Sequence, residues 1–245
     1  MKTISTLCPN PGVLPSQVLR EMIAAEMIMA TAPIPEAQIQ PASIDLRLGA
    51  RAWRVRASFL PGAQRSVAQR LNDFAMHEID LSNGAVLEKG CVYMVELQES
   101  LALPPDVSAV ANAKSSTGRL DLFTRLITDR GTEFDRIEPG YTGKLYAEIS
   151  PRSFSVLARP GVRLNQVRFR HGQVLLDDDA LRALNARDLL VDGPAHIDQG
   201  LGFSVDLEPA SGRHVGWRAR PHTGLIDLEK INHYPVAAFW DEVHS

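Results

Sequence analysis

The sequence has few cysteines and lacks the long apolar segments of membrane and secreted proteins. Its two cysteines, Cys8 and Cys91, lie far apart and form no Cys-x-x-Cys pair, which favours a reducing compartment and argues against a zinc site built on thiolates. No apolar run reaches the roughly 18 residues that a membrane-spanning helix needs. The first residues show no apolar stretch followed by a small-residue cleavage site. We therefore expect a cytoplasmic protein without a membrane partner.

Common catalytic signatures are absent as well. None of the seven histidines stands in a His-x-x-x-His or His-x-Glu pair, so the signature of zinc-dependent hydrolases and deaminases is missing. The absence of a Walker A loop, a Gly-x-Gly-x-x-Gly and a Gly-x-Ser-x-Gly argues against ATPases, dinucleotide-dependent enzymes and serine hydrolases. The net charge is −3, from 26 basic and 29 acidic residues, so a nucleic-acid partner is not expected.

A β-rich pattern, punctuated by proline and glycine, runs through most of the sequence. With 245 residues, of which 44% are hydrophobic, the chain can bury a sizeable core in one or two domains. Period-two alternation begins near Ser43, and strands are predicted at roughly 51–56, 90–97, 106–113, 144–150, 154–158 and 162–170. Weaker strand patterns follow at about 203–207, 214–218 and 225–228. Short strands separated by turn residues favour a sandwich or a barrel over a parallel α/β sheet.

Two helices are predicted on either side of this β-rich region. The first runs over about 16–28 with Ser16 as its N-cap, because apolar residues recur there at helical spacing. The second covers about 178–187 and begins at the acidic run Asp177–Asp179, whose negative charge favours the positive end of a helix.

The densest cluster of polar side chains is the hexapeptide Lys114-Ser115-Ser116-Thr117-Gly118-Arg119. Two cations bracket three hydroxyl groups, and the glycine lets a ligand approach the backbone closely. Charged and hydroxyl donors that converge in this way can hold a polyphosphate. A polar turn between two strands is the alternative interpretation of the same six residues.

A second candidate is Glu148, in the predicted strand over 144–150. Alternation places its side chain on the same face as Tyr146. Burial favours the protonated form of a carboxyl group, which can then take and return a proton near neutral pH. A solvent-facing glutamate is the alternative. Farther along, the apolar phase reverses at Asn165-Gln166, which predicts a β-bulge or a buried amide, with Gln166 in a structural role as the simpler interpretation.

Taken in order, several blocks of the sequence resemble the deoxyuridine triphosphatase-like superfamily, and within it the dCTP deaminases. The blocks lie over about 41–170 and comprise Pro41–Gly49, Lys114–Leu120, Arg136–Gly143, Leu145–Ile149 and Pro160–Phe169. The flanking segments resemble a longer bacterial branch whose members carry a second related domain. We expect a helix and an extended lead-in over 1–40, a deaminase domain over 41–190 and a β-rich extension over 191–245. We also expect that the second domain is absent, the chain being a fragment or a divergent short form.

The resemblance implies a mainly β fold and an oligomer. The expected fold is a distorted β-barrel of the dUTPase-like type (β-clip), with a short N-terminal helix and one further short helix. Such proteins assemble as homo-oligomers, commonly trimers, with their sites at subunit interfaces. Relatives also make regulation by dTTP plausible.

The resemblance further implies hydrolytic deamination of dCTP to dUTP and ammonia without zinc, as a step toward dTTP. Glu148 takes the place of the general base, and Ser115 and Arg119 those of residues that support the base and the tetrahedral intermediate. The substrate-binding positions fall on Lys114, Ser116, Thr117, Gly118, Arg136, Glu138, Tyr146, Ala147 and Gln166. Magnesium is expected to arrive with the triphosphate, so no residue is assigned as a metal ligand.

The sequence also departs from the family pattern at several positions. Lys114 stands where arginine is usual, and Glu138 where aspartate is usual. The segment 128–135 is longer than in compact members, so the residue that orients the attacking water there is not assigned. The C-terminal phosphate-gripping segment of short deaminases has no clear equivalent.

Two alternative functions remain open. A dUTP diphosphatase, or a bifunctional enzyme that also performs that step, shares most of the site, but the residues 239–245 do not resemble the glycine-rich arm of diphosphatases. A non-catalytic nucleotide-binding or oligomer-forming module is the other alternative. The joint presence of Ser115, Arg119 and Glu148 argues against it, because binding alone does not need a carboxyl group that cycles protons.

Overall fold

The computed structural model describes residues 10–172, 175–205 and 214–244, and most of its regular structure is β. Its strands are β1 (Gly12–Val13), β2 (Ile28–Ala30), β3 (Ile39–Gln40), β4 (Ser43–Val55), β5 (Ala75–Asp80), β6 (Ala85–Leu87), β7 (Val92–Ala102), β8 (Val107–Ala113), β9 (Leu122–Thr128), β10 (Arg136–Ile137), β11 (Thr142–Pro151), β12 (Val156–Ala158), β13 (Arg163–His171), β14 (His196–Ile197), β15 (Leu201–Gly202), β16 (His214–Ala219), β17 (Ile226–Asp227) and β18 (Trp240–His244).

The α-helices of the described residues are α1 (Ser16–Ala24), α2 (Val67–Phe74), α3 (Ser115–Gly118) and α4 (Asp178–Arg187). Helix α4 confirms the prediction, with the Asp177 carboxylate accepting the Ala180 N–H at 2.8 Å as its N-cap. The prediction for α1 was too long, because Glu26 takes a positive φ of 58° that ends the helix and turns the chain into β2. Its N-cap is Pro15 rather than Ser16.

Helices α2 and α3 were not predicted. Helix α2 begins with a capping box, in which the Ser66 hydroxyl accepts the Gln69 N–H and the Gln69 side chain accepts the Ser66 N–H. Its apolar residues Val67 and Leu71 cover one side of the sheet. Helix α3 is a single turn of four residues, too short to produce a helical pattern in the sequence.

The main sheet has eleven strands and bends back on itself. Its hydrogen-bonded order is β10-β8-β13-β4-β7-β11-β9, with β1, β2, β3 and β5 paired alongside. Strand β9 packs beside β8 and β13, where the Thr124 hydroxyl donates to the Asn165 side-chain oxygen at 2.7 Å. The nearly closed sheet confirms the expected mainly β, barrel-like fold.

Two irregularities let the strands close. The register of β4 against β7 shifts between Leu48 and Ala52, and a side chain at Gly49 would bring its Cβ to 2.6 Å from the Glu96 carbonyl oxygen. The register of β13 against β4 shifts between Arg163 and Asn165. The reversal of apolar phase at Asn165 therefore marks a real bulge, and the Asn165 amide is also buried.

A buried ion pair joins the two longest strands. The Arg47 Nε donates to Glu99 Oε1 at 2.8 Å, and the side chain of Glu99 is 0% exposed. Gln38 donates to the same oxygen at 2.7 Å, and the Arg47 backbone N–H donates to Glu99 Oε2 at 2.8 Å. The guanidinium also donates to the carbonyl oxygens of Ala32 and Pro33. This network ties the N-terminal segment to the sheet.

The chain divides into two compact units, and the first is discontinuous in sequence. It comprises Met1–Gly172 and His222–Pro235, and in the returning segment β17 pairs in parallel with β12. The second unit comprises Gln173–Pro221 and Val236–Ser245, with α4, the β14–β15 pair and the β16–β18 pair. Strand β16 confirms the prediction near 214–218. Residues 203–205 form no strand, and the rest of that predicted strand, 206–207, lies outside the described residues.

Replacing Glu99 with alanine is expected to lower the free energy of unfolding by about 3–5 kcal/mol, because it leaves the Arg47 cation buried without a counterion. Glu78→Ala is the matched control, since the Arg51–Glu78 pair is half exposed on both sides and contributes little. Urea unfolding of both variants measures the difference. Equal losses in the two variants would contradict this assignment.

Candidate active site

Glu148 lies in the middle of β11 and is almost completely withdrawn from solvent. Its side chain is 2% exposed. Strand β11 lies between β7 and β9, so Glu148 is in register with Met94 on one side and Arg125 on the other. Tyr146 shares its face, as alternation predicts, and is buried too. The interpretation of Glu148 as a solvent-facing residue is therefore wrong.

Arg125 on β9 is the counterion of Glu148. Its Nη2 and Nε donate to Glu148 Oε1 at 2.6 and 3.2 Å, and Nη2 also donates to the Ser58 hydroxyl at 2.9 Å. The guanidinium lies 3.5 Å from the ring centroid of Phe134 and 4.9 Å from that of Phe123. The sequence analysis missed Arg125, because only the strand register places it opposite Glu148.

The two carboxylate oxygens of Glu148 are not equivalent. Oε1 accepts both hydrogen bonds from Arg125, whereas Oε2 is buried and has no hydrogen-bond partner among the described residues. A buried acceptor without a partner costs free energy and is uncommon in folded proteins. Oε2 is therefore the atom at which a bound ligand or water molecule would be stabilised most.

A second carboxyl group, that of Asp135, interacts electrostatically with both Glu148 and Arg125. Burial raises the pKa of Asp135, and the negative charge of Glu148 raises it further, against the opposing effects of the Leu126 N–H and of Arg125. The Leu126 N–H donates to Asp135 Oδ1 at 2.7 Å. Asp135 ends the segment 128–135, which the sequence analysis had singled out only for its length.

Tyr146 and Ala147 precede Glu148 on β11 and are buried. Burial also raises the pKa of the Tyr146 phenol. The Tyr146 ring belongs to a hydrophobic cluster under α2 whose other buried members are Trp53, Val55, Phe59, Val67, Leu71, Met94 and Ile127. The Tyr146 ring therefore fills the core, and β11 is paired with a strand on both sides at these two residues, so contact of a ligand with their backbone stays a prediction.

The hexapeptide that begins at Lys114 forms the N-cap and the single turn of α3. Ser115, Ser116, Gly118 and Arg119 are exposed. Thr117 is buried instead, and its hydroxyl donates to the Leu164 carbonyl oxygen at 2.9 Å. The Thr117 hydroxyl is therefore committed to the fold, although it belongs to the predicted binding set.

Lys114 is paired with a buried carboxylate that the sequence analysis did not assign. Its Nζ is hydrogen-bonded to Asp45 Oδ2, and Arg163 Nη1 lies 3.5 Å from the same oxygen. The Asp45 side chain is 1% exposed, and its Oδ1 has no partner among the described residues. Asp45 thus sets the position of the first cation in the predicted phosphate-binding segment.

The remaining predicted positions lie on other elements. Arg136 forms ion pairs with Glu138 at 2.9 Å and Glu133 at 3.2 Å, and all three side chains are about half exposed. Gln166 on β13 is partly buried and accepts a hydrogen bond from Ser43 at 3.3 Å. Exposed ion pairs are weak, so Arg136 and Glu138 remain available to a ligand.

No hydrogen bond or ion pair among the described residues joins the predicted catalytic residues to one another. The hydrogen bonds and ion pairs described for the Lys114 group involve Asp45, Arg163 and Leu164, and those for Glu148 involve Arg125 and, through it, Ser58. Within residues 10–172 the two groups share no residue. Helix α3 leads into β9, and Arg125 lies three residues beyond the first residue of β9, or roughly 10 Å along the strand.

In the described ranges, no group of three or more His, Cys, Asp and Glu side chains is arranged to hold a metal ion. None of the helices described is long and apolar enough to cross a membrane.

Replacing Asp135 with asparagine is expected to stabilise the protein at neutral pH. Because the pKa of Asp135 is raised by folding, wild-type stability falls as the pH rises from the unfolded-state value of about 3.9 through the folded-state value. Asparagine removes this loss, still accepts the Leu126 N–H and tolerates the φ of 61° at this position. Thermal unfolding from about pH 4 to pH 8 should show a higher melting temperature for Asp135→Asn than for wild type at neutral pH. This difference should disappear as the solution is made acidic. A variant less stable than wild type at pH 7 would contradict this expectation.

Models of known protein families match both the N-terminal and the C-terminal part of the chain. The family model of the 2'-deoxycytidine 5'-triphosphate deaminase N-terminal domain matches residues 10–173, and the model of the C-terminal domain of the same proteins matches residues 177–245. A dCTP deaminase of Haloarcula marismortui is 26% identical over 156 residues, which cover 63% of this chain and 77% of that protein. A dUMP-forming dCTP deaminase of Beutenbergia cavernae is 29% identical over 142 residues, or 58% of this chain and 70% of that protein.

A solved structure is also similar. The crystal structure of 2'-deoxycytidine 5'-triphosphate deaminase from Agrobacterium tumefaciens superimposes with a TM-score of 0.86 and 47% sequence identity, over 96% of this chain and 71% of that chain.

Proposed function

Because the chain belongs to the 2'-deoxycytidine 5'-triphosphate deaminase family, we propose that it hydrolyses dCTP to dUTP and ammonia with Glu148 as the general base. The observation that carries this proposal is the buried Glu148 carboxyl group, whose Oε1 is held by Arg125 and whose Oε2 has no partner among the described residues. A group with one fixed and one open oxygen is suited to accept a proton from a single direction.

The proposed reaction begins with water at Oε2. Glu148 takes a proton from the water as its oxygen attacks C4 of the cytosine ring, giving a tetrahedral intermediate. Glu148 passes this proton to N3 of the ring, takes the proton of the new C4 hydroxyl group and delivers it to the amino group, so the C4–N bond breaks, ammonia leaves and a carbonyl group remains at C4. The carboxylate is regenerated, so Glu148 acts in turn as base and acid.

We propose that Ser115 and Arg119 come from a neighbouring copy of the chain. Both are exposed on and just after α3, and no described hydrogen bond or ion pair links α3 to Glu148. A hydroxyl and a guanidinium from a second protomer would place donors where negative charge develops in the tetrahedral intermediate. This arrangement requires a homo-oligomer, for which a trimer is our proposal.

The phosphates would bind where cations are available at the surface. Lys114 and Arg136 are partly exposed; a triphosphate can replace the exposed carboxylate partners of Arg136, whereas Lys114 would contact the triphosphate while it stays paired with the buried Asp45. The described carboxylates, histidines and Cys91 form no group fit to hold a metal ion, so we propose that magnesium arrives bound to the triphosphate. Glu138 would contact the deoxyribose, and the backbone of Tyr146 and Ala147 would contact the base.

A second candidate function is a dCTP deaminase that continues to dUMP. It is favoured by the dUMP-forming names of several relatives, among them the one from Beutenbergia cavernae. The two candidates differ in their final products, because only the second releases dUMP and pyrophosphate.

The first test is incubation of the protein with dCTP and magnesium, with ammonia, dUTP, dUMP and pyrophosphate all followed. We expect ammonia and dUTP from the native protein, and a rate about 10²- to 10⁴-fold lower from Glu148→Gln. Formation of dUMP and pyrophosphate would establish the second candidate. Binding of dCTP without any turnover would reject both and leave a non-catalytic nucleotide-binding module.

A second test asks whether the site lies between protomers. Ser115→Ala and Glu148→Gln are each expected to be nearly inactive, but their co-expression in equal amounts should restore about one quarter of the wild-type rate, because one site in four then carries both functional side chains. A mixture as inactive as its components would place Ser115 and Glu148 in the same protomer's site or remove one of them from catalysis.

A further inference from the structure

We propose that Arg125 is a positioning residue for Glu148, and that the segment 128–135 holds Arg125 in place through Phe134. The inference rests on the proposed function, because it assigns a role toward the general base. It concerns a residue and a segment that the resemblance left without any role.

Arg125 donates hydrogen bonds to only one of the two Glu148 carboxylate oxygens. A guanidinium commonly binds a carboxylate through two parallel bonds that occupy both oxygens. Here Nε and Nη2 both donate to Glu148 Oε1, and Nη2 is shared with the Ser58 hydroxyl. The arrangement fixes the carboxyl group by one oxygen and leaves Oε2 open, which is what a general base requires.

The aromatic contacts of Arg125 explain why the guanidinium stays in this position. Its Cζ lies 3.5 Å from the centroid of the Phe134 ring and 4.9 Å from that of Phe123. Its side chain is only 25% exposed. A cation stacked on a ring loses little further freedom when it binds a carboxylate.

Phe134 is itself held by the fold. The next residue, Asp135, donates its N–H to the Leu126 carbonyl oxygen at 2.9 Å and accepts the Leu126 N–H at 2.7 Å, so the end of the segment is fastened to β9 beside Arg125. Near its start, the Asp129 carboxylate accepts the Val67 N–H at 2.7 Å, which connects the segment to α2. The extra length of 128–135 thus delivers one aromatic ring to the guanidinium.

Two charged groups are shown by the structure to act on this site from neighbouring elements. Arg125, on β9, places a positive charge against the Glu148 carboxyl group, and burial together with the charge of Glu148 raises the pKa of Asp135 at the end of the segment. Removing the Arg125 cation should therefore change how the reaction rate depends on pH, which a purely structural ion pair away from the reacting atoms would not do.

The test compares Arg125→Gln, Arg125→Lys and Phe134→Leu with wild type, measuring kcat and KM for dCTP and the pH dependence of kcat. Arg125→Gln should lower kcat by about 10- to 100-fold with KM nearly unchanged, because it affects the base rather than substrate binding. The acidic limb of its profile should move to higher pH. Arg125→Lys should restore part of kcat and of the profile, because it returns the charge. Phe134→Leu should also lower kcat, but by a smaller factor than Arg125→Gln.

Arg20→Gln is the matched control, since it removes an arginine from the exposed Arg20–Glu36 pair far along the chain. It should leave kcat, KM and the pH profile unchanged. If Arg125→Gln does not fold, as judged by circular dichroism, Phe134→Leu and Arg125→Lys decide the question.

The proposal is overturned if kcat and the acidic limb of the variants equal those of wild type. It is also overturned if the loss appears in KM alone, which would make Arg125 a substrate contact, or if Arg125→Gln is faster than wild type, which would make the ion pair inhibitory. A wild-type protein that releases no ammonia is a different result, because it rejects the proposed function itself.

Discussion

The ion pair between Arg47 and Glu99 fixes the two longest strands, β4 and β7, against each other and holds the N-terminal segment on both. Strand β4 also carries Asp45, two residues before Arg47 and therefore on the same face. Asp45 in turn holds Lys114 at the start of α3. The position of the proposed phosphate-binding segment thus depends on a strand whose own placement is set by a buried charge.

Among the described residues, three buried carboxylates have cationic partners, and the hydrogen bonding of their oxygens distinguishes them. Both oxygens of Glu99 accept hydrogen bonds, so that pair is complete. Asp45 and Glu148 each keep one buried oxygen without a partner among the described residues. Of the three carboxylates, Asp45 and Glu148 therefore keep an oxygen that a bound ligand or water molecule could satisfy, and Glu99 does not.

Much of the fold could be predicted because strand alternation and turn residues are local signals. Alternation located β11 and placed Glu148 beside Tyr146, and the acidic run located α4. The short helices α2 and α3 could not be found by their periodicity, although Ser66 and Gln69 form a capping box that marks the start of α2.

The partners of the site residues were beyond prediction for a different reason. Arg125 is 23 residues from Glu148, and Asp45 is 69 residues from Lys114, so only the register of the folded sheet brings them together. The extra length of 128–135 was visible in the sequence, but what it contributes depends on where Phe134 points. The burial of the Thr117 hydroxyl depends likewise on the closeness of β13 to α3.

The discontinuity of the first unit affects how the protein can be synthesised. Val156 of β12 pairs with Ile226 of β17, and Arg159 binds Asp227 at 2.7 Å, so the small sheet is complete only when the returning segment is present. The ribosome releases all of 173–221 before that segment. Since domains begin to fold during translation, the first unit must wait, partly assembled, while 173–221 emerge, and the second unit must wait in turn for 236–245. The second unit is divided in the same way, because its segment 236–245 follows the returning segment, so no single cut through the backbone separates the two units intact.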